Sequence, residues 1–408
     1  MEILNIDSTF TPCYNNRHKI ICYQTEGDMK KYDIAAYVWP AYTGKEIRSR
    51  IFWPDGIGEW QTVRDTNIER PGYIWNRKPL WGYCDEADSA VMEFQIEEAT
   101  RHGVNVFIYD WYWYENRPYL ENCLNDGFLK AKNRDKMKFF LMWANHDVNY
   151  TWDKRLSDTV WTEPCTLWNG AVDEKEFEKI TDRVIEKYFS EPNYYRIDGK
   201  PVFMIYDARN LINGLGGMEA TLKALTRFRE KTVAAGHPGL ELQLTVWGER
   251  ISNVSGVDGE KRLSTKEIAH TLNFDSTTNY QFAHFSDMNR DYGLILEDAY
   301  REWDRMTKEY SIPFYPHVSI GWDNNPRFKT FVQRVCTGNT PERFAEALRR
   351  AREYVDTHSD TLRAPLITVN SWNEWTETSY LQPDNVYGYG YLEAVKQVFV
   401  DEPEDHAN

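Results

Sequence analysis

The chain has 408 residues, of which 41% are hydrophobic and 27% are charged, so it can form a large core and is not a disordered protein. Its formal net charge of −15 argues against nucleic acid as a partner, because a phosphate backbone would be repelled. No apolar run reaches the length of a membrane span. No signal peptide is visible at the amino terminus. The sequence as written therefore predicts a cytoplasmic protein, or a periplasmic or secreted one if a signal peptide was removed.

Eight short apolar runs, rich in β-branched and aromatic residues, recur along the chain. Most of them are too apolar for strands with one solvated face, which is typical of parallel strands that are covered on both sides. In chain order the predicted strands are Ile34–Tyr42, Val104–Tyr112, Lys138–Asn145, Val202–Asp207, Leu240–Trp247, Ser276–Phe282, Phe314–Ile320 and Leu366–Trp372.

Between and after these runs lie segments with the apolar spacing of helices. The apolar stripes are Leu120, Leu124, Phe128 and Ala131; Phe177, Ile180, Val184 and Tyr188; Phe344, Leu348 and Ala351; and Leu392, Val395 and Phe399. The alternation predicts an α/β fold, a single (β/α)8 barrel. A doubly wound sheet is the alternative, but it would normally carry a glycine-rich phosphate turn, and the sequence has none. We expect an appendage over residues 1–31, the barrel over 32–400 and a solvated tail over 401–408.

Aromatic residues are abundant, with 16 Trp, 26 Tyr and 19 Phe. Many of the tryptophans lie in two long connections, Thr43–Glu86 and His146–Gly170, which follow the first and third predicted strands. Long loops after barrel strands lie at the C-terminal mouth, and aromatic rings there suit the apolar faces of sugars. The surplus therefore favours an oligosaccharide or polysaccharide ligand. The alternative is that the rings only pack the loops onto the barrel.

Polar and aromatic residues at the ends of the predicted strands mark the candidate site, because barrel chemistry is located there. The predicted substrate-binding residues are Tyr37, Trp39, Asp110, Trp111, Trp113, Trp143, Asn145, Tyr206, Trp247, Glu249, Tyr280, His317, Trp322, Trp372 and Asn373. No metal and no cofactor is predicted, since the sequence has no His-Glu-x-x-His and no clustered His or Cys set.

Glu374 and Glu377 are the predicted catalytic pair. Cleavage of a glycosidic bond needs two carboxyl groups, one protonated and one ionised. Residues three apart on a straight strand face opposite sides, so the chain must turn near Trp375 for both to reach one pocket. The spacing alone leaves a second interpretation open, in which Glu377 is a solvated loop residue and Glu374 is a structural partner of an arginine.

Residues Asn373–Glu377 resemble the Asn-Glu-Trp-x-Glu catalytic segment of glycoside hydrolase family 99, the endo-α-1,2-mannosidases and mannanases. The wider chain, from about residue 32 to about residue 398, is even more similar to the WbsX group, which is family 99-like and often labelled glycosyltransferase. The residues that carry the likeness are Tyr109 to Trp113, Trp143 to Asn145, Trp372 to Trp375, Tyr380 to Asp384 and Tyr387 to Tyr389.

The resemblance implies a role for each glutamate. Glu374 would act as a base on the substrate 2-hydroxyl, which attacks the anomeric carbon to give a 1,2-anhydro sugar, and Glu377 would protonate the leaving oxygen. Thr376 and Thr378 stand where the mannosidases have His and Gly, and Gln382 replaces the Glu usual in the WbsX tail. The resemblance therefore supports the same mechanism more strongly than it supports specificity for mannose.

We thus expect a retaining glycoside hydrolase that acts on an α-linked glycan. A WbsX-type glycosyltransferase in polysaccharide biosynthesis is the alternative, although the sequence has no Asp-x-Asp motif and no phosphate-binding glycine loop. A non-catalytic carbohydrate-binding protein is a second alternative, and it would keep the tryptophans without needing both glutamates.

Overall fold

Eight parallel strands form the centre of the structure, a computed structural model that describes residues 13–15, 18–21, 31–163, 165–256 and 259–402. In chain order they are β1 (Asp33–Val38), β2 (Val106–Tyr114), β3 (Lys138–Trp143), β4 (Lys200–Ile205), β5 (Glu241–Thr245), β6 (Ser276–Thr278), β7 (His317–Ser319) and β8 (Leu366–Asn370). Each strand overlaps its predicted run, although some ends differ by a few residues, so all eight strand predictions are confirmed.

The strands are ordered β6-β5-β4-β3-β2-β1-β8-β7, and every neighbouring pair is parallel. A parallel bridge between Thr277 and Phe314 joins β6 to the segment before β7. There the Thr277 amide donates to the Pro313 carbonyl at 2.9 Å, and the Tyr315 amide donates to the Thr277 carbonyl at 2.9 Å. This contact nearly closes the ring, which confirms the predicted (β/α)8 barrel rather than a doubly wound sheet.

Helices surround the strands. The α-helices of the described ranges are α1 (Trp60–Asp65), α2 (Ser89–Arg101), α3 (Glu174–Val184), α4 (Ala208–Leu215), α5 (Met218–Ala234), α6 (Thr265–Thr271), α7 (Tyr292–Glu309), α8 (Pro341–Thr357) and α9 (Gly390–Lys396). Single π-helical turns, Ile185–Phe189 and Gln397–Asp401, extend α3 and α9. Three of the four predicted apolar stripes lie on α3, α8 and α9.

The predicted helix between β2 and β3 is wrong. The strand Arg117–Tyr119 pairs back onto β2, and Leu120 has a φ of +58°, which no α-helix accommodates. The chain then forms a π turn, Cys123–Gly127, and a 3-10 turn, Phe128–Lys130. The apolar spacing was real, because Leu124 and Phe128 are buried, but short turns bury them instead of a helix.

Polar residues at the helix starts explain where several helices begin. Asp88, Asp173, Asp207 and Thr340 each accept a hydrogen bond from an N–H group of a first turn, which satisfies donors that a helix leaves unpaired. α4 ends at Gly216, whose φ of +86° is left-handed and unstrained for glycine.

Short strands and 3-10 turns make up the remaining elements. Further antiparallel strand pairs are Cys13–Asn15 with His18–Ile21, Ile68–Arg70 with Tyr73–Trp75, Arg196–Ile197 with β4, Ile251–Gly256 with Gly259–Ser264, and Asn373–Glu374 with Ser379–Tyr380. Other 3-10 turns are Ile47–Ile51, Arg134–Lys136, Tyr150–Trp152, Ser157–Trp161, Phe282–His284, Asn325–Arg327 and Trp375–Glu377. Within the described ranges, no helix combines the length and the apolar character that crossing a bilayer requires. Most of the predicted appendage and the end of the predicted tail lie outside the described residues.

The two long connections cover the C-terminal mouth, as predicted. Trp53 and Trp75 are buried, and Trp53 stacks with Trp152 of the second connection at a ring-centroid distance of 6.4 Å. Trp161 is instead 66% exposed. Much of the aromatic surplus therefore packs these connections onto the barrel and onto each other.

Candidate functional site

A cavity of about 170 Å³ opens at the C-terminal ends of the barrel strands. Its lining residues are Trp39, Asp110, Tyr112, Met142, Ala144, His146, Thr151, Trp152, Tyr206, Tyr280, Arg327, Glu374 and Glu377. Six of the residues predicted from the sequence are among them, namely Trp39, Asp110, Tyr206, Tyr280, Glu374 and Glu377. The cavity thus combines carboxylates, one guanidinium group and several aromatic rings.

The alternation of side chains along β2 decides which of its residues reach the cavity. Asp110 and Tyr112 line it, whereas Trp111 and Trp113 lie on the opposite face of the strand. The Trp111 indole N–H donates to Glu121 at 2.8 Å, and that of Trp113 donates to Glu176 at 3.2 Å. Trp111 and Trp113, both predicted to bind substrate, therefore point away from the cavity.

The same alternation continues through β3. Ala144 and His146 line the cavity, but the Trp143 ring packs against Phe177 of α3 at 5.9 Å. Asn145 donates through its side-chain amide to the Asp207 carbonyl and accepts from the Asp207 amide, both at 2.8 Å. Trp143 and Asn145 thus hold β3 to its surroundings and do not line the cavity.

Arg327 binds both predicted catalytic glutamates. It contacts Glu377 at 2.7 Å, Glu374 at 3.2 Å and the fully buried Glu59 at 3.5 Å. The 3-10 turn Trp375–Glu377 supplies the bend that brings the two glutamates to one side. Glu377 is 9% exposed, so it is not a solvated loop residue. The arginine that contacts Glu374 also contacts Glu377.

Burial raises the pKa of the carboxyl groups in this cavity. The pKa of Glu374 is well above its ordinary value because the group is buried and because Glu377 repels its charge, while Arg327 lowers it. Burial also raises the pKa of Glu377, again opposed by Arg327. The pKa of Asp110 is raised well above its ordinary value by burial, and a hydrogen bond from Tyr280 lowers it. Burial therefore favours the protonated form of these carboxyl groups more than water does.

Tyr280 stands between two of these carboxyl groups. Its hydroxyl oxygen lies 2.9 Å from Asp110 and 3.3 Å from Glu374. A hydroxyl carries one proton and can donate to only one of them, so a second hydrogen bond needs a proton on a carboxyl group. The geometry thus agrees with the raised pKa values.

A buried carboxylate behind the cavity holds the segment that carries the glutamates. Glu86 accepts hydrogen bonds from Asn373 at 2.8 Å, from Gln382 at 2.9 Å and from Gln95 at 3.2 Å. In turn, Gln382 accepts from the Trp375 indole at 2.7 Å. Glu86 therefore fixes the segment on the side away from the cavity.

Gln95 and Asn373 complete this network. Gln95 accepts from the Trp372 indole at 2.8 Å. Asn373 accepts from the Trp39 amide at 2.7 Å and donates to the Trp39 carbonyl at 2.8 Å. Trp372 and Asn373, both predicted to bind substrate, therefore position the segment and lie behind the cavity.

The other predicted residues lie beneath the cavity or around it. Tyr37 is buried and donates to the Asn279 carbonyl at 3.0 Å, and His317 bonds to Thr368 and Ser319 at 2.9 Å. Both side chains lie in the barrel interior, where the inward positions of β1 and β7 place them.

Trp247, Glu249 and Trp322 lie around the mouth. Trp247 lines a neighbouring hollow, Glu249 pairs with Arg305 at 3.0 Å, and Trp322 lies under the Arg334 guanidinium at 5.5 Å. None of the three is among the residues that line the cavity.

The sequence prediction missed Arg327 and Glu59. The alternation of side chains along a strand could have identified Tyr112 and His146 as lining residues of the cavity. Arg327 and Glu59 instead lie in long connections, where the sequence has no periodic pattern. Buried carboxylates need a cation nearby, so the sequence indicates that some basic residue lies beside Glu374 and Glu377. It does not indicate which residue this is.

In the described residues no group of three or more His, Cys, Asp or Glu side chains could hold a metal ion.

Residues 34–395 match the family described as Glycosyltransferase WbsX. Two proteins of Xanthomonas campestris pv. campestris, both called uncharacterized protein WxcX, are 25% identical over 359 residues, which cover 86% of this chain and 48% of theirs. The chain therefore spans about half the length of these curated relatives. The matches confirm the resemblance to the WbsX group.

Two solved structures have a fold similar to that of this chain. A glycoside hydrolase-like protein matches with a TM-score of 0.56 and 15% identity, over 91% of this chain and 95% of that one. The GH99 endo-alpha-mannosidase from Bacteroides thetaiotaomicron matches with a TM-score of 0.52 and 14% identity, over 90% of this chain and 96% of that one. At these identities the likeness shows the barrel fold.

Glu86 makes the stability of the protein depend on pH. Burial raises its pKa from 4.5 to about 7, although the three amide hydrogen bonds oppose this. Between pH 4.5 and about pH 7, Glu86 keeps its proton in the folded protein and loses it in the unfolded chain. The contribution of Glu86 to the free energy of unfolding therefore falls as the pH rises through this range. The loss is about 3 kcal/mol across this window.

We expect Glu86→Gln to remove this part of the pH dependence. Between pH 5 and pH 8 the thermal midpoint of the wild type should fall by about 3 °C more than that of the variant. Differential scanning calorimetry at several pH values measures this, with the exposed Glu97→Gln as control. Parallel pH profiles for wild type and Glu86→Gln would contradict the prediction.

Proposed function

The chain belongs to the Glycosyltransferase WbsX family, and on that premise we propose that it is a glycan-processing enzyme that hydrolyses α-linked glycans with Glu374 and Glu377. The observation that carries the proposal is that both carboxyl groups line one cavity at the mouth of the barrel and contact the same guanidinium group. A buried pair of carboxyl groups that share one arginine suits acid–base catalysis at an anomeric carbon.

The resemblance to family 99 assigns Glu374 the role of the base. One of its oxygens is 3.2 Å from Arg327 and the other is 3.3 Å from the Tyr280 hydroxyl, so two contacts hold the carboxyl group in place. In the proposed step Glu374 takes the proton of the substrate 2-hydroxyl. The freed oxygen then attacks the anomeric carbon, and the bond to the leaving oxygen breaks.

The contacts of Glu377 suit the role of the acid. Its Oε1 accepts from Arg327 at 2.7 Å, and its Oε2 has no hydrogen-bond partner among the described residues. A proton on Oε2 would pass to the leaving oxygen, which gives a 1,2-anhydro sugar. Water then opens this sugar with the two roles exchanged: Glu377 takes a proton from water, Glu374 returns one to the 2-oxygen, and the anomeric configuration is retained.

Transfer of a sugar from a nucleotide donor is the second candidate function. The description of the matching family favours it. The cavity itself offers one cation, Arg327, which is already in contact with three carboxylates, so a donor diphosphate would find little free positive charge there.

Replacing each glutamate by glutamine tests the hydrolase. We expect Glu374→Gln and Glu377→Gln each to lower kcat by about 10³-fold on the α-linked oligosaccharide that the wild type cleaves. A substrate with a good leaving group, such as an aryl glycoside, should restore much of the activity of Glu377→Gln and little of that of Glu374→Gln, because only the acid becomes dispensable. Released sugars are quantified by chromatography.

Glu97→Gln on the outer face of α2 serves as the control and should retain full activity. Turnover by the wild type that occurs only with a nucleotide sugar would refute the hydrolase and favour the transferase. Equal rescue of both glutamine variants by the aryl glycoside would refute the assigned roles.

Two tryptophans near the mouth should behave differently. Trp143 packs under α3, so Trp143→Phe should lower the free energy of unfolding by about 1–2 kcal/mol and leave kcat/KM unchanged. Trp152 lines the cavity, so Trp152→Phe should lower kcat/KM about 3- to 10-fold through loss of ring contact with the sugar. Steady-state kinetics and thermal unfolding separate the two effects, and a kinetic loss confined to Trp143→Phe would contradict the assignment.

A further inference from the structure

A groove of about 880 Å³ lies beside the hairpin formed by Ile251–Gly256 and Gly259–Ser264. Arg209, Arg250 and Arg262 line it, together with three asparagines, Ile251 and Ser252, and none of the described lining residues is acidic. The chain as a whole carries a net charge of −15, so a groove lined by three arginines is a local exception. Such a surface attracts anions.

Within the described part of the chain, carboxylates do little to neutralise these arginines. Neither Arg250 nor Arg262 forms an ion pair with a carboxylate among the described residues. Arg209 has only a long contact of 3.8 Å with Asp207. Arg250 is nevertheless held in place, because its guanidinium lies 5.1 Å from the centre of the Trp247 ring and donates to the His284 carbonyl at 2.9 Å. A charged group that is positioned but unpaired is suited to bind a ligand.

A hollow shares lining residues with the groove and with the cavity of the two glutamates. Arg209, Arg250 and Ser252 also line this hollow, which contains Trp247, and Tyr206 lines both the hollow and the cavity of the two glutamates. The Tyr206 and Trp247 rings are 4.6 Å apart, so an aromatic surface joins the two sites. A glycan leaving the cavity in this direction would pass these rings before it meets the arginines.

We propose that this groove is a subsite for an anionic glycan, whose sugar units carry carboxylate, sulfate or phosphate groups. The inference rests on the proposed function, because it names the class of substrate that the same enzyme would take. The arginines bind the oxyanion of a sugar unit that lies outside the cavity. Trp247 contacts the sugar unit that lies between the cavity and the arginines.

The position of the groove favours a glycan over a nucleotide donor. In a nucleotide sugar the diphosphate is bonded directly to the anomeric carbon, so its charges would lie inside the catalytic cavity. The arginines instead lie beyond the Trp247 hollow. They therefore suit a charge carried by a neighbouring sugar unit.

Binding of defined polymers to the full chain tests the subsite. We would measure binding of dextran sulfate and polygalacturonate, with neutral dextran for comparison, by biolayer interferometry. Both polyanions should bind more tightly than dextran, and their affinity should fall between about 50 mM and about 300 mM salt. Arg250→Gln/Arg262→Gln should weaken polyanion binding at least about tenfold. Arg227→Gln/Arg301→Gln, which removes the same charge from outer helices, should change it less than about twofold.

Two outcomes would overturn the inference: polyanions that bind no better than dextran, and equal weakening by both double variants. Competition by UDP-glucose that depends on Arg250 and Arg262 would also overturn it, in favour of a donor diphosphate. Because binding needs no turnover, the subsite can stand even if Glu374 and Glu377 prove inactive in hydrolysis. Conversely, hydrolysis of neutral glycans with a KM unchanged by Arg250→Gln/Arg262→Gln would remove the subsite and leave the hydrolase.

Discussion

The mouth of this barrel buries several carboxyl groups around a single guanidinium, and the properties of the site depend on that arrangement. Glu59, Glu374 and Glu377 all contact Arg327, and Asp110 lies across the Tyr280 hydroxyl. One positive charge cannot balance this many buried carboxylates, so the folded site is stable when some of them keep their protons. A site that holds both protonated and ionised carboxyl groups has the charge state that acid–base chemistry needs.

The segment that carries the two glutamates is held from both sides. On the cavity side, Glu374 and Glu377 contact Arg327. Behind the cavity, Asn373 donates to Glu86 directly. Trp375 donates to Gln382, which in turn donates to Glu86. Reacting groups must be placed within fractions of an ångström, and a loop anchored on one side only would not achieve this. The buried network behind the cavity thus supplies the rigidity that the cavity side cannot supply alone.

The sequence predicted the barrel well because the apolar runs of parallel strands are strong local signals. It predicted the site less well. The alternation along β2 separates Asp110, which lines the cavity, from Trp111, which does not, and residue type alone does not show this. Arg327 was missed for a different reason. Its contacts with Glu374 and Glu377 join connections that follow two different strands, and no local pattern encodes such a pairing.

Thr376 shows where this chain departs from the mannosidases that it resembles. Its hydroxyl accepts from the Arg327 Nε–H at 2.8 Å and donates to Glu59 at 3.0 Å, so it links the cation to its third carboxylate. A histidine at this position is larger and could not make the same compact bridge. Thr376, Arg327 and Glu59 therefore form one hydrogen-bonded unit, and Arg327 joins this unit to Glu374 and Glu377. Arg327 of this unit lines the cavity, so under the proposed function we expect the unit to influence which sugar fits rather than the chemistry of the two carboxyl groups.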